Sequence, residues 1–401
     1  MRLPEPAARR TALIVVLSAL VMTLLVVRRP TAVTIPQFWA EDGVVFFRDA
    51  WVCGIGAAVY QYAGYLHLFP RVVASLVVLA PVAWAPALFT AVALLAPIPL
   101  IVLLTSPRLP LKTWQRVLAV LPVALPPMPD ELHLGVDNSH WHFTLLWPLL
   151  AAVRPATTWR GTAGDAALGV LASASSPACV YLLPVAVAMR AWQCRSLRSR
   201  HVLAMAPAAL MALWQLVVLG TSGRPMRTSS LLDTAWSVTQ GAIDTIGLGG
   251  AAWRGVPLLL LVALVAGITG YQVWRRGPGV RVSLACLACA GLSWAVLVVS
   301  LPVAGMGLAS RYHFGPVVML EWALVMAAPG LVAGLLPVLF VSVASAVPFV
   351  LPVRADRGWH AGAACLESGR TDCRIPIHPE GWVIAMDEPV GKRQLTCGNR
   401  D

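Results

Sequence analysis

Charged residues are scarce in this sequence. Only 12% of its 401 residues are Asp, Glu, Lys or Arg, whereas 58% are hydrophobic and the mean hydropathy is +0.74. Soluble domains carry about 25% charged residues. A water-soluble fold of this length could not bury so much apolar surface, so the composition excludes a soluble globular protein and predicts a membrane protein.

Long polar connections are also lacking over most of the chain. A helix needs about 17–25 apolar residues to cross the hydrocarbon core of a bilayer. Apolar runs occur at 11–27, 70–105, 115–129, 141–153, 163–174, 177–189, 202–220, 254–272, 282–301, 314–328 and 331–352. We therefore expect an all-α polytopic membrane protein with about eleven transmembrane helices.

Two of these runs leave alternatives open. The run 70–105 is too long for one span, and Pro81 and Pro86 divide it either into an interfacial helix and a span or into two spans. Ser175, Ser176 and Pro177 either turn a hairpin between two helices or kink one long helix. Two spans within 70–105 would move the segment 130–140 to the cytoplasm.

No small-x-small cleavage motif follows the first apolar run, which is longer than a usual signal core. We interpret 11–27 as a retained first helix.

The net charge of +12 comes from arginines in short loops, which set membrane topology and do not indicate nucleic-acid binding. The strongest clusters are Arg190, Arg195, Arg198 and Arg200, and Arg275, Arg276 and Arg281. Placing them in the cytoplasm predicts a multi-pass protein of the cell (inner) membrane with a cytoplasmic N-terminus and an extracytoplasmic C-terminus. The external segments are then 28–69, 130–140, 221–253, 302–313 and 353–401. Arg28, Arg29, Arg224 and Arg227 would lie outside, against the rule.

Cysteines occur both in the apolar runs and in the predicted external segments. We divide the chain into a transmembrane domain, 1–353, and a small extracytoplasmic tail, 354–401, which carries Cys365, Cys373 and Cys397. Disulfides can form there, with Cys53 as a fourth partner, but the sequence does not decide the pairing. Cys286 and Cys289 lie within an apolar run, where we expect packing and not metal or redox chemistry.

Polar residues concentrate in three external patches. The first, in loop 28–69, holds Glu41, Asp42, Arg48, Asp49, His67 and, just beyond, Arg71, interleaved with aromatics. Its stretch around 44–52 predicts a short interfacial helix. The second, 130–142, holds Asp130, Glu131, His133, Asp137, His140, Trp141 and His142, and either binds a divalent cation or is a polar loop. The third holds Arg311 and Tyr312, where the arginine either snorkels or binds phosphate.

The order of these features resembles the GT-C superfamily of integral-membrane glycosyltransferases, including its bacterial members. The matching segments are FWAEDG at 38–43, GYL followed by PR at 70–71, NSHW at 138–141, SRY at 310–312 and the cysteine-containing tail with PEGW. The resemblance covers nearly the whole chain, but its individual motifs are short. No D-x-D triplet is present. The sequence therefore does not decide whether the protein uses a divalent cation, Mg or Mn, as a cofactor.

The resemblance implies transfer of a sugar from a polyprenyl-phosphate donor to a glycan, lipid or protein acceptor at the outer membrane face. Asp42 is the expected catalytic base, with Glu41 as its rival, and Arg71, Arg311 and Tyr312 are expected to bind the donor phosphate. The second acidic site would comprise Asp137, His140, Trp141 and Glu131.

Two other functions fit the same sequence. A transporter or lipid-sugar flippase would also be a basic helical bundle, although the helix middles are nearly bare of charge and no internal repeat is evident. A non-catalytic assembly or anchoring protein would work through Trp359 and Trp382 of the tail. The tail itself either caps the site or is a small disulfide-tied appendage.

Overall fold

The computed structural model describes residues 7–126, 132–222, 229–245, 279–301, 311–343 and 349–386, with Gly267, Gly270 and Met306. Its α-helices are α1 Ala7–Arg28, α2 Thr31–Thr34, α3 Arg48–Cys53, α4 Leu68–Val77, α5 Ala85–Leu95, α6 Ile98–Leu104, α7 Thr113–Val120, α8 Ser139–Thr144, α9 Leu146–Ala152, α10 Trp159–Ser175, α11 Cys179–Cys194, α12 Arg200–Leu203, α13 Ala206–Thr221, α14 Leu231–Thr245, α15 Val280–Ser300, α16 Arg311–Ala327, α17 Leu331–Val343 and α18 Trp359–Glu367. A π-helical turn spans Asp42–Phe47, and 3₁₀ turns span Gly54–Val59, Val82–Trp84 and Leu121–Val123.

The strands form only two small antiparallel hairpins in the described part of the chain. β1 Gln61–Tyr62 pairs with β2 Tyr65–Leu66, and β3 Arg374–Pro376 pairs with β4 Val383–Ala385. Ala63 and Gly64 both have positive φ, at 48° and 80°, which is the geometry of the tightest hairpin turns. The described chain is therefore mostly helical, as the composition predicts.

Four helical segments among the described residues are long and apolar enough to cross a membrane. They are Ala8–Arg28, Val82–Leu104, Arg200–Thr221 and Val280–Ser300. Several shorter apolar helices pack among them, and the predicted run 254–272 lies outside the described residues. Because a backbone in lipid must satisfy its own hydrogen bonds, these helices support a membrane-embedded protein.

At both places that the sequence leaves open, the chain forms two separate helices. In 70–105 the chain leaves α4 at Val77 and begins a second helical segment at Val82, directly after Pro81. At the second break, Ser176 is extended, with φ −139° and ψ 135°, so α10 and α11 are two helices and not one kinked helix.

Short loops meet at one end of the bundle, which we call the short-loop end. The Arg154 amide donates to the Arg108 carbonyl, and the Asp165 carboxylate binds both Arg108 and Arg190 at 2.6–2.9 Å. Arg281 stacks on Trp192 with its Cζ 5.1 Å from the ring centroid. The predicted cytoplasmic arginine loops thus converge on one side.

At the opposite end of α1, which we call the long-loop end, residues bordering three of the predicted external segments meet. Arg28 ends α1 and donates to the carbonyls of Ala124, Leu125 and Pro126 at 2.8–3.2 Å, while the Leu351 amide donates to the Arg28 carbonyl. Arg28 is only 1% exposed. Capping of neighbouring backbone carbonyls accounts for an arginine at this position, whereas Arg224 and Arg227 lie outside the described residues.

The tail is built into the long-loop end and is not a separate appendage. Trp359 packs edge-on against Phe38 and Phe47, with ring centroids 4.8 and 5.6 Å apart, and donates from Nε1 to the Ala83 carbonyl. Cys365 and Cys373 form a disulfide within the tail. Cys53 is disulfide-bonded too, and Cys397 lies outside the described residues.

The stretch around 44–52, predicted to be a short interfacial helix, is helical, and several of its apolar side chains are buried within the protein. Phe46 and Phe47 are both 0% exposed, because they pack in one core with tail residues such as Trp359 and Ile377. The tail covers the apolar side of this helix, a contact that the sequence does not reveal. Cys286 and Cys289 are buried thiols within α15, in agreement with the expected packing role.

We expect Asp165→Asn to destabilise the bundle by about 3–5 kcal/mol, because it leaves the buried charge of Arg190 without its carboxylate. Thermal unfolding of the purified protein in detergent measures the effect. Asp372→Asn is the matched control, since Asp372 pairs with Arg370 at an exposed surface. Equal melting temperatures for both variants would contradict a structural role for Asp165.

Gly43→Val should loosen the tail from the first external loop. A Cβ at Gly43 would lie 2.9 Å from Ile377 Cδ1 and 3.0 Å from Ile384 Cδ1, both in the tail. Limited proteolysis of the purified protein should therefore cut the tail faster. Gly56→Val serves as the control, because nothing lies within 4 Å of its Cβ position. Unchanged protection in Gly43→Val would show that the tail is held elsewhere.

Candidate functional site

Asp42 joins the first two polar patches. Its Oδ2 accepts from the Val136 amide at 3.0 Å and its Oδ1 accepts from the Asp137 amide at 2.8 Å. Segments 94 and 95 residues apart in sequence therefore meet at one carboxylate. This contact puts 136–137 at the same end as the first loop, which disfavours the alternative in which 130–140 is cytoplasmic.

The backbone around Asp42 is held in an unusual shape. Ala40 has a positive φ of 43°, and its amide donates to the carbonyl of His378 in the tail. The chain then enters the π-helical turn at Asp42, a geometry often found at functional sites. The tail thus fixes the direction in which the Asp42 side chain leaves the backbone.

Burial governs the protonation of Asp42. The residue is 3% exposed, and desolvation raises the pKa of its carboxyl to about 7, against the opposing pull of the two amide hydrogen bonds. Glu41 nearby also raises the pKa, and Arg354 lowers it. Each carboxylate oxygen has a second lone pair beyond the one that its amide uses. A carboxylate poised near neutral pH can exchange a proton with a reacting hydroxyl.

Glu41 points toward the β1–β2 hairpin. The Tyr62 hydroxyl donates to Glu41 Oε1 at 3.3 Å, and burial followed by the charge of Glu41 raises the pKa of Tyr62 above its ordinary value. Asp137 also acts electrostatically on Tyr62. The sequence candidates Asp42, Glu41 and Asp137 therefore surround a common region, with Tyr62 beside them.

A group of rings extends the site beyond Asp137. His67 Nε2 lies 3.7 Å from Asp137 Oδ1, but burial first, then His140 and Arg71, lower the pKa of His67 well below its usual value. We therefore regard this contact as that of a neutral imidazole and not as an ion pair. The Nδ1 atom of His140 lies 2.7 Å from the Asp137 carbonyl oxygen, and burial lowers the pKa of His140 to about 4.

The third patch adjoins the second. Trp141 packs edge-on against Tyr312 with centroids 5.6 Å apart, and Arg311 stacks on the Tyr312 ring at 5.0 Å. Arg311 also lowers the pKa of His140 electrostatically. Trp141, Tyr312 and Arg311 are all partly exposed. The structure thus brings Arg311 and Tyr312 next to the second acidic patch.

Arg71 has a different environment from the one expected for a phosphate ligand. It is 1% exposed, forms an ion pair with Asp49, and donates from Nε to the Tyr60 carbonyl at 3.1 Å. Its Cζ also lies 4.9 Å from the Phe46 ring centroid. These contacts indicate that Arg71 holds the first loop together from behind the site.

The fold brings further residues to the site beyond the candidates assigned a role from the sequence. Tyr65 stacks on His67 with centroids 3.8 Å apart, and Arg354 of the tail stacks on Trp39 with its Cζ 4.1 Å from the ring centroid. Ala63-Gly64 is not a dipeptide typical of a two-residue hairpin turn, so the local sequence gives no strong signal for the hairpin that carries Tyr65. No local signal connects Arg354 to the first loop, which lies at the other end of the sequence.

No metal centre is evident in the part of the chain that the structure describes. No group of three or more His, Cys, Asp or Glu side chains there is arranged to hold an ion. The candidate Glu131, with Asp130, lies outside the described residues. Glu321 is 3% exposed, and its Oε1 has no hydrogen-bond partner among the described residues.

Comparisons with models of known protein families, with curated proteins and with solved structures give no match.

We expect the Asp42 carboxyl to titrate near pH 7, because burial outweighs its two amide hydrogen bonds. Infrared difference spectra of the wild type against Asp42→Asn should show a protonated carboxyl band below this pH and lose it above. Glu41→Gln is the control and should leave the Asp42 band in place. A band that disappears near the ordinary carboxyl pKa of about 4 would mean that water reaches Asp42.

Proposed function

We propose that the protein is a membrane glycosyltransferase that moves a sugar from a polyprenyl-phosphate donor to an extracytoplasmic acceptor. The observation that carries this proposal is the buried Asp42 carboxylate, which two backbone amides hold at the long-loop end beside aromatic side chains. A donor whose polyprenyl chain lies in the bilayer and whose sugar lies outside would place its anomeric carbon at this end of the bundle.

The helix ends support the topology that this function requires. Contacts put the two ends of α1 at opposite ends of the bundle, since Arg10 reaches the Val102 carbonyl and Arg28 reaches the carbonyls of 124–126. Four segments among the described residues are long and apolar enough to span a membrane, and we propose that shorter helices and the apolar run 254–272 bring the number of spans to about eleven. The N-terminus would be cytoplasmic and the tail extracytoplasmic.

The mechanism is a single displacement at the anomeric carbon. The acceptor hydroxyl gives its proton to Asp42 as its oxygen bonds to that carbon, and the bond from the carbon to the phosphate oxygen breaks. The phosphate leaves with the electron pair. A positioned base of this kind contributes roughly 10²–10⁴-fold to the rate.

The neighbouring side chains would bind the sugar and the leaving phosphate. Trp141 and Tyr65 offer ring faces, and His140, being neutral, can exchange hydrogen bonds with hydroxyls. Of the two arginines chosen from the sequence, Arg311 stands beside these rings, whereas Asp49 neutralises Arg71. These contacts fit a glycan, a lipid or a protein as the acceptor equally well.

A transporter or lipid-sugar flippase is the second candidate. The observation that favours it is Glu321, a carboxyl inside α16 whose Oε1 has no hydrogen-bond partner in the described chain. Ionisable groups inside membrane helices often mark transport pathways. A flippase would need Glu321 and would tolerate the loss of Asp42.

We expect purified wild type to transfer radiolabelled sugar from at least one member of a panel of polyprenyl-phosphate sugars, or to hydrolyse it. Asp42→Asn should lower the rate by about 10²-fold or more, because it removes the base. Glu41→Gln tests the rival carboxylate and should keep most activity, since the amide oxygen can still accept from Tyr62.

Melting temperatures of all variants show whether a loss of activity reflects unfolding, because the side-chain amide in Asp42→Asn can accept from only one of the two backbone amides. Full activity in Asp42→Asn would disprove the assignment of the base. Loss in Glu41→Gln alone would transfer the role to Glu41. Wild type that neither binds nor turns over any donor would favour transport or assembly, with Glu321 as the next residue to vary.

A further inference from the structure

A second arginine-rich group lies on the tail side of Asp42. Arg354 stacks on Trp39 at 4.1 Å, and Arg29 lies over the same ring at 5.8 Å. His378 stacks parallel to the indole, with centroids 6.2 Å and planes 9° apart. We call Arg29, Trp39, Arg354 and His378 the tail cluster.

The tail cluster is directly connected to Asp42. The Asp42 amide donates to the Trp39 carbonyl at 3.0 Å, and Arg354 acts on the charge of Asp42. A guanidinium that lies over an aromatic ring keeps its N–H groups in its own plane, where paired N–H groups match the oxygens of a phosphate. The geometry therefore suits an oxyanion held beside the proposed base.

The location indicates that this oxyanion belongs to a lipid. Arg29 directly follows α1, and the Arg354 amide donates to Thr31 Oγ1, so the cluster sits where two spans leave the bundle. Apolar side chains beside it in sequence are exposed, namely Val33 at 48%, Val350 at 53% and Val353 at 77%. A polyprenyl phosphate could place its phosphate on Arg354 and Arg29 and its isoprenoid chain along these exposed valines.

We propose that Arg354 and Arg29, stacked on Trp39, bind the phosphate of the polyprenyl-phosphate donor, so that the tail supplies part of the donor site. This inference rests on the proposed function for the identity of the lipid. It goes beyond the arginines chosen from the sequence, because it assigns the phosphate to Arg354 and Arg29, with Arg311 on the sugar side. The tail then has a binding role in addition to its packing role.

The test is equilibrium binding of a radiolabelled short-chain polyprenyl monophosphate, the sugar-free leaving group, to full-length protein in detergent. Arg354→Gln should weaken binding about tenfold or more, because it removes charge-assisted hydrogen bonds. Arg370→Gln is the matched control, since Arg370 is an exposed tail arginine paired with Asp372. Its affinity should stay within about twofold of the wild type.

Further variants and probes separate the outcomes. Arg354→Lys keeps the charge and the fold but not the paired donors, and it should fall between the wild type and Arg354→Gln. Unlabelled polyprenyl phosphate should compete, whereas inorganic phosphate and phosphatidylglycerol vesicles should compete weakly. Competition by inorganic phosphate as strong as by the lipid would overturn the lipid assignment.

Wild-type affinity for polyprenyl monophosphate in a folded Arg354→Gln variant would overturn the inference. A loss of affinity in Arg311→Gln alone would assign the phosphate site to Arg311, on the other side of Asp42. Binding that depends on Arg354 without any sugar transfer would support this phosphate site and count against the glycosyltransferase. Transfer that survives Arg354→Gln with unchanged KM would support the enzyme and reject the phosphate site.

Discussion

The hydrogen bonds from the amides of Val136 and Asp137 to the Asp42 carboxylate are the contact on which the rest of the candidate site depends. They tie the loop after the first helix to the loop before α8, and Val136 packs in the same buried core as tail residues such as Trp359. A buried carboxylate is costly unless it is hydrogen-bonded or protonated, and here both compensations are available, because its pKa is raised to about 7. The same carboxylate therefore organises the loops and is poised to exchange a proton.

The tail supplies the cover that makes this environment. Trp359, Ile377 and Ile384 complete the core that contains Phe38 and Phe47, and the His378 carbonyl accepts from the Ala40 amide. The Cys365–Cys373 disulfide closes this small unit. A segment as short as this tail can bury little apolar surface alone, so the tail gains stability by packing on the first loop. Its folding and the shape of the Asp42 region are then inseparable.

The arginines illustrate how residues of one type take different roles in one protein. Arg190 and Arg108 neutralise Asp165 at the short-loop end, Arg28 caps backbone carbonyls, and Arg71 pairs with Asp49. Arg311 and Arg354 stand beside aromatic rings near the candidate site. A charged side chain close to the membrane needs a partner. An arginine whose partner is a carboxylate or carbonyl of the protein has a structural role, whereas one beside the candidate site can bind a ligand.

The sequence by itself determined the helical membrane character, the grouping of the short arginine loops and the choice of Asp42, Asp137, His140 and Arg311 as candidate residues. These follow from apolar run length, from charge near the ends of spans, and from polar residues outside them. Only the tertiary structure decided that Arg71 faces Asp49, that Phe46 and Phe47 face the tail, and that Arg354 stands by Trp39. Local patterns report which residues prefer lipid or water, whereas contacts between segments far apart in the sequence depend on how the helices pack.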